Sequence, residues 1–264
     1  MTHKTNALTN DEYRSTPHFS NSDISLALQS TALLEWSKNA PTDGSKSVDL
    51  GTHIHCAMLE PDVFQSNYVK TPDFGTSAAG KRSAEQFKEN MQGKIILDTA
   101  TSDMINEMRK SILAHPVANK LLTSPGESEA SIFSDLQGMK VKCRPDRIVD
   151  PSYFGGQHIV VDLKKTADID KFKFSVRDFG YHRQAAFYSD IYFQLTGKRP
   201  RFPFIVVGEK RSIGRHPVRV FELPEEVIEI GRMQYLEGLE KCREYQEFGC
   251  GLDIEELDMG SLIR

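Results

Sequence analysis

An aspartate closes the segment Lys142-Cys143-Arg144-Pro145-Asp146, and after fifteen intervening residues comes Asp162-Leu163-Lys164, running out of the apolar pair Val160-Val161. Two carboxylates can hold a hard divalent ion, which prefers oxygen ligands. A lysine beside them can steady charge building on a phosphoryl group or activate a water. That chemistry is phosphodiester hydrolysis. On a strand, Asp162 and Lys164 project from the same face, and the Leu163 carbonyl between them offers a further oxygen ligand. By itself this pattern also describes ordinary surface charge at strand ends.

Other residues could join the pair. Glu129 is expected to open the preceding strand, either as a third carboxylate at that sheet end or as a solvated charge. In Gly51-Thr52-His53-Ile54-His55, two imidazoles stand two apart on a helix, so only one can face the cleft. Gln184 and Tyr188 stand four apart and share a helix face, which Tyr181 extends by a turn. Such a pair could position a water or grip a phosphate, or the tyrosine could be a core residue with a wet hydroxyl. Lys164, Lys165, Lys171, Lys173 and Arg177 fall within fourteen residues, a solvated helix face or a track for a nucleic-acid backbone. Lys81 and Arg82 follow the small-residue run Gly75–Gly80, which suggests a mobile loop.

The elements that would carry these residues are legible from periodicity. Ser22-Asp23 caps an expected helix reaching Asn39-Ala40-Pro41, and a loop over Pro41–Ser45 leads to a second helix, Asp49–Leu59. Thr99–Leu122 reads as a long helix interrupted at His115-Pro116. Strands are expected over Glu129–Ser134, Met139–Val149 and His158–Leu163, then a helix from Arg177 to Leu195. Two more strands, Arg201–Val207 and Val218–Leu223, precede a last helix ending near Phe248. This order predicts an α/β fold, a mixed central sheet flanked by helices with a helical N-terminal region. The expected division is a flexible N-terminus over 1–20, a single domain over 21–250, and an acidic tail over 251–264.

Composition sets the outer limits. The chain has 264 residues, 39% hydrophobic and 27% charged, enough for a substantial core. No run of about eighteen apolar residues would span a membrane, and Met1–Asn6 lacks a signal peptide's apolar core. The expectation is a cytoplasmic protein. A net charge of −4 argues against indiscriminate nucleic-acid binding and leaves room for a local basic channel. The four cysteines form no CxxC pair and are expected to be buried or incidental thiols, with no iron–sulfur cluster. Helical spacing opposes a zinc site from His53, His55 and Cys56.

The ordered set Gly51-x-x-x-His55, Arg144-Pro145-Asp146, Asp162-x-Lys164 and Gln184-x-x-x-Tyr188 resembles the RecB-like branch of the PD-(D/E)XK nucleases. The fuller run over roughly residues 20 to 240 resembles the RecE-type exodeoxyribonuclease nuclease domain. The resemblance implies a restriction-endonuclease-like core in which His55, Asp146 and Asp162 ligate Mg2+, or Mn2+ in its place, with the Leu163 carbonyl assisting and Glu129 less fixed. Lys164 would be the catalytic lysine, with Gln184 and Tyr188 near the scissile phosphate. His53 falls outside the motif and is assigned to packing. The implied activity is 5′-to-3′ exonucleolysis of linear duplex DNA from its ends, leaving single strands for recombination. A homo-oligomeric ring, a tetramer by resemblance, and a RecT-type annealing partner are further implications. A catalytically idle DNA-binding or phage-assembly protein is the alternative, opposed by the retention of Asp146, Asp162 and Lys164 together.

Overall fold

The computed structural model describes residues 2–6, 8–39 and 50–251. The expected loop at Pro41–Ser45 and the acidic tail from Asp253 lie outside them.

Where a flexible N-terminus was expected over 1–20, β1 (His3–Thr5) pairs antiparallel with a later strand, and α1 (Asn10–Ser15) follows behind a Thr9/Glu12 capping box. The first long helix is two: α2 (Asn21–Gln29) and α3 (Thr31–Asn39). Its cap is Ser20, whose hydroxyl accepts from the Asp23 N–H while Asp23 reaches back, and not the expected Ser22-Asp23. Ser30, in extended conformation, breaks the run and accepts from the Ala32 N–H to start the next helix.

Next come α4 (Leu50–Leu59), α5 (Pro61–Asn67), β2 (Tyr68–Lys70), α6 (Ala78–Asn90) and β3 (Ile95–Leu97). The expected break at His115-Pro116 separates α7 (Thr99–Ala114) from α8 (Pro116–Thr123), with the His115 ring capping the second. No helix among the described residues is long and apolar enough to cross a membrane.

The middle of the chain is a bent hairpin. β4 (Gly126–Ser128) and β5 (Ser131–Leu136) lead up one arm, and β6 (Met139–Cys143) and β7 (Arg147–Val149) come down the other. The second arm was expected to be one strand and the first to begin only at Glu129. Both are broken at the same height, because Pro145 has no N–H to donate and Glu129 takes a left-handed φ of 53°. The lower pair, β4 and β7, joins one sheet; the upper pair, β5 and β6, joins another with β1.

The remaining elements are β8 (Ile159–Thr166), α9 (Phe172–Asp178), α10 (Tyr181–Thr196), β9 (Phe204–Gly208), β10 (Val218–Phe221) and α11 (Glu225–Phe248). The central sheet runs β10-β9-β8-β7-β4, with β8 and β9 parallel and the other pairs antiparallel, so it is mixed as expected. Its central strands are apolar on both faces, as burial between two helical layers demands. Ile159, Val161, Leu163, Ile205 and Val207 pack with α4, α7 and α8. Val160, Phe204 and Val206 pack with α2, α10 and α11. Asp162 and Lys164 belong by alternation to this second face, the α10 side.

Candidate active site

The bend in the hairpin positions two of the acids. Glu129 and Asp146 lie opposite each other where both arms break, and the Glu129 N–H donates to the Asp146 carbonyl at 3.2 Å. A non-glycine residue at positive φ costs free energy and tends to persist where function holds it. Here it presents a carboxylate toward Asp146.

The next strand and a helix complete the group. The Leu163 N–H donates to Asp146 Oδ2 at 2.5 Å, which fixes that carboxylate against the middle of β8. From α4, His55 brings Nε2 to 2.5 Å from the Leu163 carbonyl and Nδ1 to 3.6 Å from Asp146 Oδ2. A carbonyl oxygen only accepts, so Nε2 carries the proton in this contact. One ligand atom each from His55, Glu129 and Asp146 lie within 4.8 Å of one another.

Asp162 stands beside this group with a different set of partners. Gln184 Nε2 donates to its Oδ1 at 2.7 Å, and Lys164 Nζ lies 2.7 Å from its Oδ2. The lysine contact is an ion pair without hydrogen-bond alignment, for Oδ2 is buried and accepts no directed hydrogen bond. Lys164 is held in turn by the Tyr181 ring, whose centroid lies 4.6 Å from Nζ.

The electrostatics are those of closely placed, largely buried carboxylates. Burial, then the charge of Asp146, pushes the Glu129 carboxyl up to about 8, with Glu60 adding to the rise. Burial raises Asp162 to about 6 although Lys164 opposes it. Burial works against the charge on Lys164, but Asp162 and Asp146 outweigh it, so its pKa is raised and the ammonium persists at neutral pH. The donor set is carboxylate oxygens, a carbonyl and one imidazole, which suits a hard divalent ion. The unaligned Asp162 Oδ2 fits the same ion as a further ligand. His55, Glu129, Asp146, Asp162 and the Leu163 carbonyl thus fit a divalent metal.

The expected residues divide clearly. His55, Glu129, Asp146, Asp162, Leu163, Lys164 and Gln184 converge. Glu129 sits at the hairpin break and not, as expected, at a strand start. Tyr188 lies a turn beyond Gln184, half-buried against the core with its ring 6.3 Å from that of Phe202; burial holds its phenol far above the usual range, and the charges of Asp162 and Asp146 add to the rise. His53 is buried edge-on against Tyr68, the packing role expected of it. Lys165 points to the opposite face of β8 and pairs with Glu209. Lys171, Lys173 and Arg177 are exposed around α9, and Lys81 and Arg82 are exposed on α6. Two contributors were underread. Tyr181, treated only as an extension of the Gln184 face, holds the lysine, and Glu60, one residue past the expected helix Asp49–Leu59, adds charge to the cluster.

A mixed sheet between helices, with paired acids at a strand bend and an Asp-x-Lys on the next strand, defines the PD-(D/E)XK nuclease fold. The chain belongs to the family described as "PDDEXK-like domain of unknown function (DUF3799)", which matches residues 27–248. Among solved structures it is similar to a protein from Eubacterium rectale named "Putative exonuclease", with 15% identity, 97% of each chain covered and a TM-score of 0.64. Two weaker likenesses carry no argument. SSO0001 has 16% identity, coverage of 70% and 84%, and a TM-score of 0.28. VC1899 from Vibrio cholerae has 12% identity, coverage of 94% and 58%, and a TM-score of 0.24. No curated protein matches the chain.

Proposed function

We propose that the protein is a magnesium-dependent deoxyribonuclease that hydrolyses linear duplex DNA from its ends, 5′ to 3′, leaving single strands for recombination. The observation that carries the hydrolytic reading is the juxtaposition of two groups. The ion pair Asp162–Lys164 stands beside the cluster of His55, Glu129 and Asp146. The polarity and the recombination role rest on the resemblance of the ordered motifs, and the fold of the E. rectale protein named an exonuclease agrees with a nuclease.

When bound, Mg2+, or Mn2+ in its place, supplies Lewis acidity and an activated water. The remaining work falls to the chain's own side chains. His55, Glu129, Asp146, Asp162 and the Leu163 carbonyl would hold the ion. Lys164, protonated at neutral pH, offers fixed positive charge where the phosphoryl group gathers negative charge. Gln184 orients Asp162, and Tyr181 holds the ammonium in place, so neither charged group reorganises during the reaction. Tyr188 supports the helix that carries Gln184 and acts through it.

A homo-oligomeric ring would let exposed cations such as Lys171, Lys173 and Arg177 line a channel despite the net charge of −4. A RecT-type annealing protein would then receive the released strand. The test is a time course on linear duplex DNA labelled separately at each 5′ and 3′ end, with closed circular duplex alongside. Loss of 5′ label first with the circle intact is expected; degradation of the circle contradicts end dependence.

A further inference from the structure

An aromatic ladder runs from the core to solvent past the lysine. Phe172 is buried, stacks on Phe221 at 5.4 Å and on Tyr181 at 5.8 Å, and Tyr181 meets Phe179 at 5.7 Å. Tyr181 is also the ring beneath Lys164. The last rung, Phe179, is 64% exposed. It ends α9 where Gly180 takes a left-handed φ of 66°, turning the chain so that Tyr181 packs inward and Phe179 stays outward. Phe174, one turn back, is 46% exposed.

A large ring left in water beside a charged site has a cost, and its neighbours say what would cover it. Lys173 Nζ lies 5.1 Å and the Arg177 guanidinium 5.7 Å from the Phe174 ring centroid, and Lys171 precedes them, exposed. The exposed acids nearby face arginines: Asp178 pairs with Arg177, and Asp170 lies 3.7 Å from Arg219. An apolar partner would have to strip these cations of water. A nucleotide strand presents a flat ring to the phenyl group and phosphates to the cations.

We propose that Phe179 is a stacking platform for a nucleobase of a single strand, set one ring from the Lys164–Tyr181 pair, with Lys171, Lys173 and Arg177 on the flanking phosphates. This deepens the nuclease reading and rests on it: the platform selects an unpaired base at the site, so the strand is held by its base as well as its phosphates.

The test uses the full chain in chelator, so that nothing is hydrolysed. Two probes are compared, fluorescent oligodeoxythymidylate of about 12 nucleotides, within the usual span of such sites, and the same backbone without bases. Phe179→Ala is expected to weaken the thymidylate by about 5- to 150-fold, the range for one stacked base, and to leave the abasic strand unchanged. Phe179→Trp is expected to restore binding. With Trp36, the one tryptophan, replaced by Phe, its emission should be quenched by thymidylate and not by the abasic strand. Equal loss on both strands, or no loss on either, overturns the platform while leaving the nuclease reading standing. So does a fall in oligomer mass for Phe179→Ala with strand binding intact, which would make Phe179 a contact between copies. Failure of the wild-type chain to bind either strand also overturns the platform; the nuclease reading falls only if linear duplex DNA with Mg2+ is left intact as well.

Discussion

Asp162 and Lys164 share one face of β8, with Oδ2 and Nζ 2.7 Å apart and side chains 1% and 15% exposed. A buried pair of this kind is poor evidence for stability, because taking two charges out of water offsets most of their attraction. It is better understood as a site. The acid carries an oxygen with no directed hydrogen bond, and the lysine leans on an aromatic ring at the edge of a carboxylate cluster.

Metal binding should be visible in stability, with a definite dependence on pH. Glu129 is raised to about 8 and Asp162 to about 6, so between the ordinary carboxylate range and about 8 the folded, metal-free chain holds protons that the unfolded chain has released. That stability is full below the unfolded values and is lost as pH rises through the folded ones. The melting temperature in chelator should therefore fall from about pH 5 to about pH 8. Added Mg2+ should raise it more at the upper end, where fewer protons compete for the carboxylates. Thermal melts at both pH values with and without Mg2+ check this. An equal Mg2+ shift at both would contradict the site.

Glu129→Gln removes the charge while keeping the shape. In chelator at about pH 8 the variant should melt no lower than wild type, since a buried like charge beside Asp146 is gone. The Mg2+-induced shift should shrink, and hydrolysis should fall by about 100-fold or more, as expected when a metal site loses a carboxylate. A variant with wild-type turnover would remove Glu129 from the metal site.

Gln184→Ala leaves Asp162 Oδ1 without its 2.7 Å donor. Loss of a buried hydrogen bond to a charged group costs about 1–3 kcal/mol, measurable by denaturant titration. Turnover should drop about 10- to 100-fold from misorientation of the acid. Stability lost with turnover unchanged would make Gln184 purely structural.

Asp190 is a contrast, a charged network serving the fold. From α10 it accepts from Arg232 at 2.8 Å and Tyr235 at 2.6 Å on α11, and from Arg199 at 2.7 Å. Asp190→Ala should destabilise by about 3 kcal/mol, at the low end for a broken buried pair, because Arg199 is more than half exposed and can turn to water. Turnover per folded molecule should be unchanged, which denaturant melts and active-fraction kinetics would separate.

The Asp-x-Lys strand was legible because a short apolar run with period two fixes which residues share a face, and the α7–α8 break was legible because proline announces it. The bend at Glu129 was not. Nothing local in Ser128-Glu129-Ala130 signals a positive φ, which arises from pairing with an arm broken at Pro145. The expected helix over Arg177–Leu195 ran across Gly180, a turn residue whose meaning lies in the αL cap between α9 and α10. Tyr188 was assigned to the site because it shares a face with Gln184. That face also meets the core, so the Tyr188 ring packs near Phe202 while its phenol stays within the field of Asp162 and Asp146. Tyr181 is set from three elements, by Phe172 and Phe179 on and at the end of α9, Phe204 on β9 and Lys164 on β8, which no spacing rule encodes.

The central claim is that Lys164 supplies the charge for phosphodiester hydrolysis at a divalent-metal site. The most direct measurement compares wild type and Lys164→Ala on labelled linear duplex DNA with Mg2+, alongside a binding titration in chelator. The account predicts that wild type degrades the duplex. Lys164→Ala should lose at least about 100- to 1,000-fold in rate, the scale of one removed electrostatic donor, with DNA affinity within a few-fold of wild type. Wild-type turnover by Lys164→Ala, or no Mg2+-dependent hydrolysis by the wild-type chain, would contradict it.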